Sequence, residues 1–241
     1  LRYMLLAQML RVQREGYDVA GVSAAGHDVT EVVSAGIRHI PVPFTRTNFA
    51  PLQDLRAFLS LIRLFRKERF DIVHTHTPKP GLFGQLAAYF TGVPIIVNTI
   101  HGYYFHDNQG PWIKRLFIWI EKLAARCSDL IFFQNYEDIN SALKHGIGSA
   151  EQFRLLNNGI DLNAFDPDRI DRSVLPQVRR SLDIPEGVPV VGFTGRLVRE
   201  KGLPELMRAA SLVRRRIPDL LLLIVGPVDV EERQEGDVRR R

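Results

Sequence analysis

The stretch Pro94–Ile100 (PIIVNTI) constrains the fold more than any other part of this chain. A near-continuous apolar run of strand length has no polar face to turn toward water. It is stable where both faces of the strand are covered, which is the situation of a parallel sheet sandwiched between helices. Patterns that fit such a sheet flank it on both sides. Strand patterns at 18–23, 37–44, 71–77, 130–134 and a short one at 154–157 alternate with helical patterns at 1–15, 52–69, 81–91, 112–126 and 136–145. In the 52–69 segment Leu52, Leu55, Leu59, Ile62 and Phe65 make one apolar stripe, with Arg56, Arg63, Arg66 and Lys67 largely opposite. Pro41 and Pro43 place the 37–44 strand near a sheet edge, and Gly146 stops the last of these helices. The alternation predicts an α/β chain built on a doubly wound parallel sheet, which binds ligands at the carboxyl ends of its strands. The chain opens on a helix where a buried strand would normally come first, so that first strand is expected to be missing.

Between Asp166 and Pro189 the texture changes: Pro, Asp and Arg accumulate and no long apolar run occurs. Residues 166–187 therefore read as a linker carrying a short helix near Val174–Leu182. A strand at Val188–Thr194, a helix at Lys201–Arg216 and a strand at Leu220–Val225 restart the pattern. One β-α-β unit buries too little surface to stand alone. The expected division is a Rossmann-like N-terminal domain over 1–165, the linker over 166–187, and the start of a second Rossmann-like domain over 188–241, cut in mid-domain.

Charge and cysteine usage narrow the partners. The formal charge is +5 and the pI about 9.5, which suits anionic ligands: nucleotide phosphates, acidic headgroups or nucleic acid. Arg179–Arg180, Arg214–Arg216 and Arg239–Arg241 hold much of the excess and read as solvated helix faces. No recognition helix and no aromatic-basic sheet signature supports nucleic acid as a partner. No apolar run approaches the length of a membrane span, and the lone Cys127 staples nothing, which fits a reducing cytoplasm. The helix at 112–126 leaves two readings open. With Trp112, Phe117, Trp119 and Ile120 beside Lys114 and Arg115, it either packs on the sheet or rests peripherally on a membrane surface.

Three strand-end motifs carry chemistry. Gly195-Arg196-Leu197-Val198-Arg199-Glu200-Lys201-Gly202 follows a strand and is expected to open a helix, whose free N–H groups and dipole favour an anion. Arg196 supplies a planar fork and Lys201 a point charge, while Gly195 and Gly202 let the backbone approach a ligand. The loop suits a diphosphate; it is neither a P-loop nor a dinucleotide fingerprint. His101, just past the 94–100 run, is placed to hydrogen-bond a sugar hydroxyl or to share a proton, with a strand-end histidine held by backbone groups as the plain alternative. His74 and His76 share one strand face, but no Cys or acidic residue nearby completes a metal site, so neither metal nor cofactor is expected. Thr77, Lys79 and Gly81 in the turn that follows are candidates to touch an acceptor, as are Gly102 and Tyr103. Asn157–Asp161 reads as a structural turn.

Taken in order, Asp71–Gly81 (DIVHTHTPKPG), Val97–Gly102 (VNTIHG), Asn158–Asp161 (NGID), Gly192–Gly202 (GFTGRLVREKG) and Leu222–Asp229 (LLIVGPVD) make the chain resemble glycosyltransferase family 4 of the GT-B fold, in the subgroup that builds bacterial capsule, exopolysaccharide and O-antigen chains. The resemblance covers essentially the whole chain. It implies metal-independent, retaining transfer from a nucleotide sugar, with UDP as nucleotide, to a lipid-linked or saccharide acceptor, by a cytoplasmic protein that is peripheral on the inner membrane face. It assigns Arg196 and Lys201 to the donor diphosphate and His101 to the reacting sugar, so that His101 and Arg196 would face each other across one cleft. It also exposes departures. The family's first strand and Gly-rich donor loop would precede Leu1, and its pair of donor-site glutamates would follow Arg241; Glu231, Glu232 and Glu235 do not replace them. By itself, then, the chain is expected to turn over little or no donor. The alternative is a non-catalytic sugar-nucleotide-binding or regulatory fragment of the same fold.

Overall fold

The structure, a computed structural model, describes residues 1–45, 50–76, 78–103, 105, 110–157, 159, 162–163 and 165–227. Thr77, Asn158, Ile160, Asp161, Asp229, Glu231, Glu232, Glu235 and Arg239–Arg241 lie outside the described residues. The chain divides into two compact units, Leu1–Gly159 and Ile160–Arg241.

In the first unit the order is α1 (Arg2–Arg14), β1 (Ala20–Ser23), α2 (Val29–Ser34), β2 (Arg38–Pro41), α3 (Pro51–Glu68), β3 (Ile72–His76), α4 (Pro78–Thr91), β4 (Ile95–Ile100), α5 (Pro111–Ala125), β5 (Leu130–Phe133), α6 (Tyr136–His145) and β6 (Phe153–Leu155). Every strand pairing is parallel. β4 is interior: Ile96 to Ile100 are all buried, as the unbroken apolar run requires. Its two polar members are satisfied internally, with Thr75 Oγ1 donating to Asn98 Oδ1 at 2.8 Å and Thr99 Oγ1 lying 2.7 Å from His74 Nε2. Asp129 Oδ2 accepts from the Ile96 amide at 2.7 Å and ties the start of β5 to β4.

The sheet departs from a single doubly wound layer. β1 pairs with β2, and β3-β4-β5-β6 form a second sheet, with no hydrogen bonds joining β1 to β3. An apolar groove of about 660 Å³ runs along both strands, lined on its other sides by α1 residues such as Leu5 and Met9 and by Leu61 and Phe65 of α3. α2 went unread in the sequence because six residues are too few to show a 3.6 period. β2 ends at Pro41, short of Phe44, because proline has no N–H to continue a ladder. α4 begins three residues ahead of Gly81: proline is tolerated in a first helical turn, where the amides have no intrahelical partner. Asn135 caps α6, accepting from the Asp138 amide at 2.7 Å, and Gly146 ends it at φ +63°. Two core clusters result. One joins Leu61, Phe65, Val73 and Ile96; the other joins Ile100, Ile131, Phe133 and Phe153.

The second unit holds two 3₁₀ turns, α7 (Leu175–Ser181), β7 (Val190–Thr194), a 3₁₀ turn at Arg199–Lys201, α8 (Leu203–Val213) and β8 (Leu221–Val225), which pairs parallel with β7. Arg179 is structural, not merely solvated: its guanidinium donates to the carbonyls of Pro185 and Val188 at 2.7 and 3.0 Å.

Candidate functional site

Three strands of the larger sheet deliver polar side chains to one carboxyl edge. His76 pairs in register with Thr99, and Ile100 with Phe133, so His101 and Gln134 leave β4 and β5 side by side. Gln134 Nε2 lies 2.6 Å from His101 Nδ1, and His101 Nε2 lies 3.1 Å from His76 Nδ1. An amide nitrogen only donates, so His101 Nδ1 accepts from Gln134 and its Nε2–H donates to His76. The rings of His74 and His76 are 4.3 Å apart, those of His76 and His101 5.4 Å.

Burial, then the neighbouring imidazoles, lowers His74 to about 4 and His76 to about 3. His101 is also lowered, chiefly by burial. The row is therefore neutral at neutral pH and acts through hydrogen bonds rather than charge. Both nitrogens of His101 are occupied, so a ligand hydroxyl reaches either one by exchanging with His76 or Gln134. Among the described residues no group of three or more His, Cys, Asp or Glu is arranged to hold a metal ion.

The acceptor-side candidates separate. Lys79 Nζ is 2.6 Å from Asp54 Oδ1 and 3.3 Å from Thr45 Oγ1, an ion pair that ties α4 to α3. Gly81 is buried, and a Cβ there would meet Asn98, Gln85 and the His76 carbonyl, each at 3.6 Å. Gly102 turns the chain off β4 at φ +111°, and among the described residues a Cβ there would meet nothing within 4 Å. Tyr103 stacks on Phe105 at 4.6 Å, and its buried hydroxyl has no hydrogen bond among the described residues. Burial, then Glu121 and Asp138, raises its pKa. Tyr103 is partly buried against the core, Lys79 is engaged with Asp54 and Thr45, and Gly81 packs beside the His76 carbonyl.

In the second unit Gly195–Gly202 follows β7 and is fastened to the end of β8. The Gly195 amide donates to the Val225 carbonyl and the Leu197 amide to the Pro227 carbonyl, both at 3.0 Å. Arg196 and Lys201 are exposed. The loop does not open directly into a helix: Lys201 ends a 3₁₀ turn, Gly202 adopts φ +73°, and α8 starts after it with Pro204 in its first turn. A left-handed glycine breaks the helical path, so Lys201 sits ahead of the helix rather than in it.

Three residues escaped the sequence reading. Gln134 carries the same signal as His101, a polar side chain at the carboxyl end of a buried strand. Glu121 lies one turn beyond Phe117, which packs against a core cluster, and that i, i+4 spacing marks it as inward-facing; burial raises it to about 7. Gly226 backs onto the Gly195–Gly202 loop, where a Cβ would overlap the Gly195 carbonyl.

Residues 2–159 match the Glycosyl transferase 4-like domain, and residues 176–239 match Glycosyl transferases group 1. The chain belongs to the glycosyltransferase 4-like family. Among the relatives of this chain is the UDP-Gal:alpha-D-GlcNAc-diphosphoundecaprenol alpha-1,3-galactosyltransferase of Escherichia coli, 29% identical over 214 residues, covering 88% of this chain and 54% of that protein. The capsular polysaccharide biosynthesis glycosyltransferase CapM of Staphylococcus aureus is 28% identical over 237 residues, covering 95% and 59%. The chain thus spans between about half and three-fifths of these relatives' length. A glycosyltransferase from Rickettsia africae has the same fold, with a TM-score of 0.74 at 21% identity over 96% of this chain and 57% of the other. So does Anabaena Alr3699/HepE, solved in complex with UDP and glucose, with a TM-score of 0.71 at 19% identity over 98% and 61%. The architecture is GT-B-like: parallel α/β units in sequence.

Proposed function

We propose that the protein to which this chain belongs transfers a sugar from a UDP-sugar to an acceptor hydroxyl with retention of configuration. The acceptor is a lipid-linked or polysaccharide-precursor saccharide, met by a cytoplasmic protein at the inner membrane face. The observation that carries this reading is the Gly195–Gly202 loop, which offers two exposed cations at the carboxyl end of β7 on a backbone held by β8. When the anomeric C–O bond breaks, negative charge grows on the diphosphate oxygens. Arg196 can meet two of them with its fork and Lys201 adds a second positive charge, so the leaving group is stabilised without a divalent metal. His101, neutral and held by Gln134, offers a hydrogen bond to a hydroxyl of the reacting sugar. The E. coli relative's name, with its UDP-Gal donor and diphosphoundecaprenol-linked acceptor, supports these classes, as does the UDP complex of the Anabaena protein.

The test is turnover by the full-length protein over a panel of UDP-hexoses and UDP-N-acetylhexosamines with an undecaprenyl-diphosphate-linked sugar, with the product's anomeric configuration read by NMR. Failure with every UDP-sugar, or an inverted product, overturns the proposal.

A further inference from the structure

α5 has two apolar sides, and the fold uses one. Phe117, Ile118 and Ala125 face the core cluster of β4–β6. Trp112, Ile113, Leu116 and Trp119 remain exposed, the two tryptophans at 78% and 61%. At 100° per residue these four fall within one arc of about 120°. Arg115 and Arg126, both exposed, border that arc, and the Arg115 guanidinium lies 5.5 Å from the centre of the Trp112 ring. The helix has one acidic residue, Glu121, and it points inward, so no negative charge stands on the exposed side.

We propose that this face of α5 docks on an anionic lipid surface. Four large apolar side chains with two tryptophans suit the boundary between headgroups and acyl chains, and the bordering arginines complement lipid phosphates. The helix lies on the surface and does not span it: none is long and apolar enough to cross a membrane among the described residues. α5 also leaves the sheet from the same carboxyl edge as His101, because it follows β4. A lipid-linked acceptor held in that surface would approach the edge where His101 stands. The docking face deepens the acceptor proposed above but is tested apart from it. Absence of vesicle binding leaves transfer to a soluble saccharide standing, and absence of transfer leaves vesicle binding standing.

The experiment is flotation of the full 241-residue chain with phosphatidylcholine vesicles containing about 40 mol% phosphatidylglycerol, against pure phosphatidylcholine. The expected result is binding to the anionic vesicles, weakened by about 0.5 M salt, with a blue shift of tryptophan emission. Both tryptophans of the chain lie on this face, so the shift reports its burial in wild type without any variant. Trp112→Ser with Trp119→Ser should lower the partition coefficient about tenfold or more, with circular dichroism unchanged. The proposal is overturned if folded wild type does not float with anionic vesicles, or if it floats with no blue shift. A blue shift that follows protein concentration in the absence of lipid also overturns it, since the occupant is then a second copy of the chain.

Discussion

Lowering the pH from 7.5 to 5 should destabilise the first unit by an amount set by three partly buried groups, His74, His76 and Glu121. His74 and His76 titrate near 4 and 3 in the fold and near 6.5 when unfolded. The unfolded chain therefore binds more protons below pH 6.5. Their contribution to stability is complete above 6.5 and is lost as the pH falls below it. At about 1.4 kcal/mol per unit, each histidine loses about 2 kcal/mol by pH 5, and both stay neutral in the fold throughout, so the losses add to about 4 kcal/mol. Glu121 works the other way. Its folded pKa near 7 lies above the unfolded 4.5, so the fold binds the extra proton and gains about 2–3 kcal/mol over the same interval. The net expectation is a loss on the order of 1–2 kcal/mol in wild type, and about 4 kcal/mol in Glu121→Gln, which keeps a neutral side chain in place. Glu121→Gln should also be the more stable protein at pH 7.5, where wild type holds a buried carboxylate. Urea unfolding followed by tryptophan fluorescence reports this unit alone, because both tryptophans are on α5. With m near 2 kcal/mol/M, the variant's midpoint should fall by about 2 M. His74→Asn with His76→Gln should remove most of the acid loss. Equal midpoints at the two pH values in Glu121→Gln, or an undiminished acid loss in the double-histidine variant, would refute the burial argument.

If the proposed transfer holds, Arg196→Ala and Lys201→Ala in the full-length protein should each lower kcat/KM by about 10²–10³-fold; steady-state rates within about threefold of wild type for both would remove them from the proposed diphosphate site. EDTA should leave turnover unchanged, and activity that is lost on chelation and restored by one divalent ion would speak for a metal. His101→Ala should abolish most activity yet cost only about 1–2 kcal/mol of stability, since water reaches the half-buried Gln134 and His76 partners; retained activity in the folded variant would exclude it from the reaction. Gly226→Ala should displace the Gly195 carbonyl and weaken UDP binding measured by calorimetry, whereas an unchanged affinity would show that the loop absorbs the methyl group.

Local sequence determined the longer elements, though not the six-residue α2, and the strand edge on which the candidate residues lie. The apolar run at 94–100 specifies a strand buried on both faces because no other environment hides it, and the helices around it follow from stripes that need a sheet to cover them. Once the strands are parallel, the residues at their carboxyl ends become candidates by topology alone: His76 and His101 in the first unit and, separately, the Gly195 loop in the second. Tertiary structure decided what those residues touch. Register between β4 and β5 sets Gln134 against His101, and register between β3 and β4 sets His76 against its other nitrogen, though 25 residues separate His76 from His101 and 33 separate His101 from Gln134. The same holds for Lys79, which the turn motif offered as a ligand contact and the packing of α3 against α4 pairs with Asp54. Periodicity shows that a side chain faces inward, but not whether a partner waits there. Glu121 and Tyr103 both face inward; burial without a matching charge, which depends on atoms far away in the chain, is what raises the pKa of each.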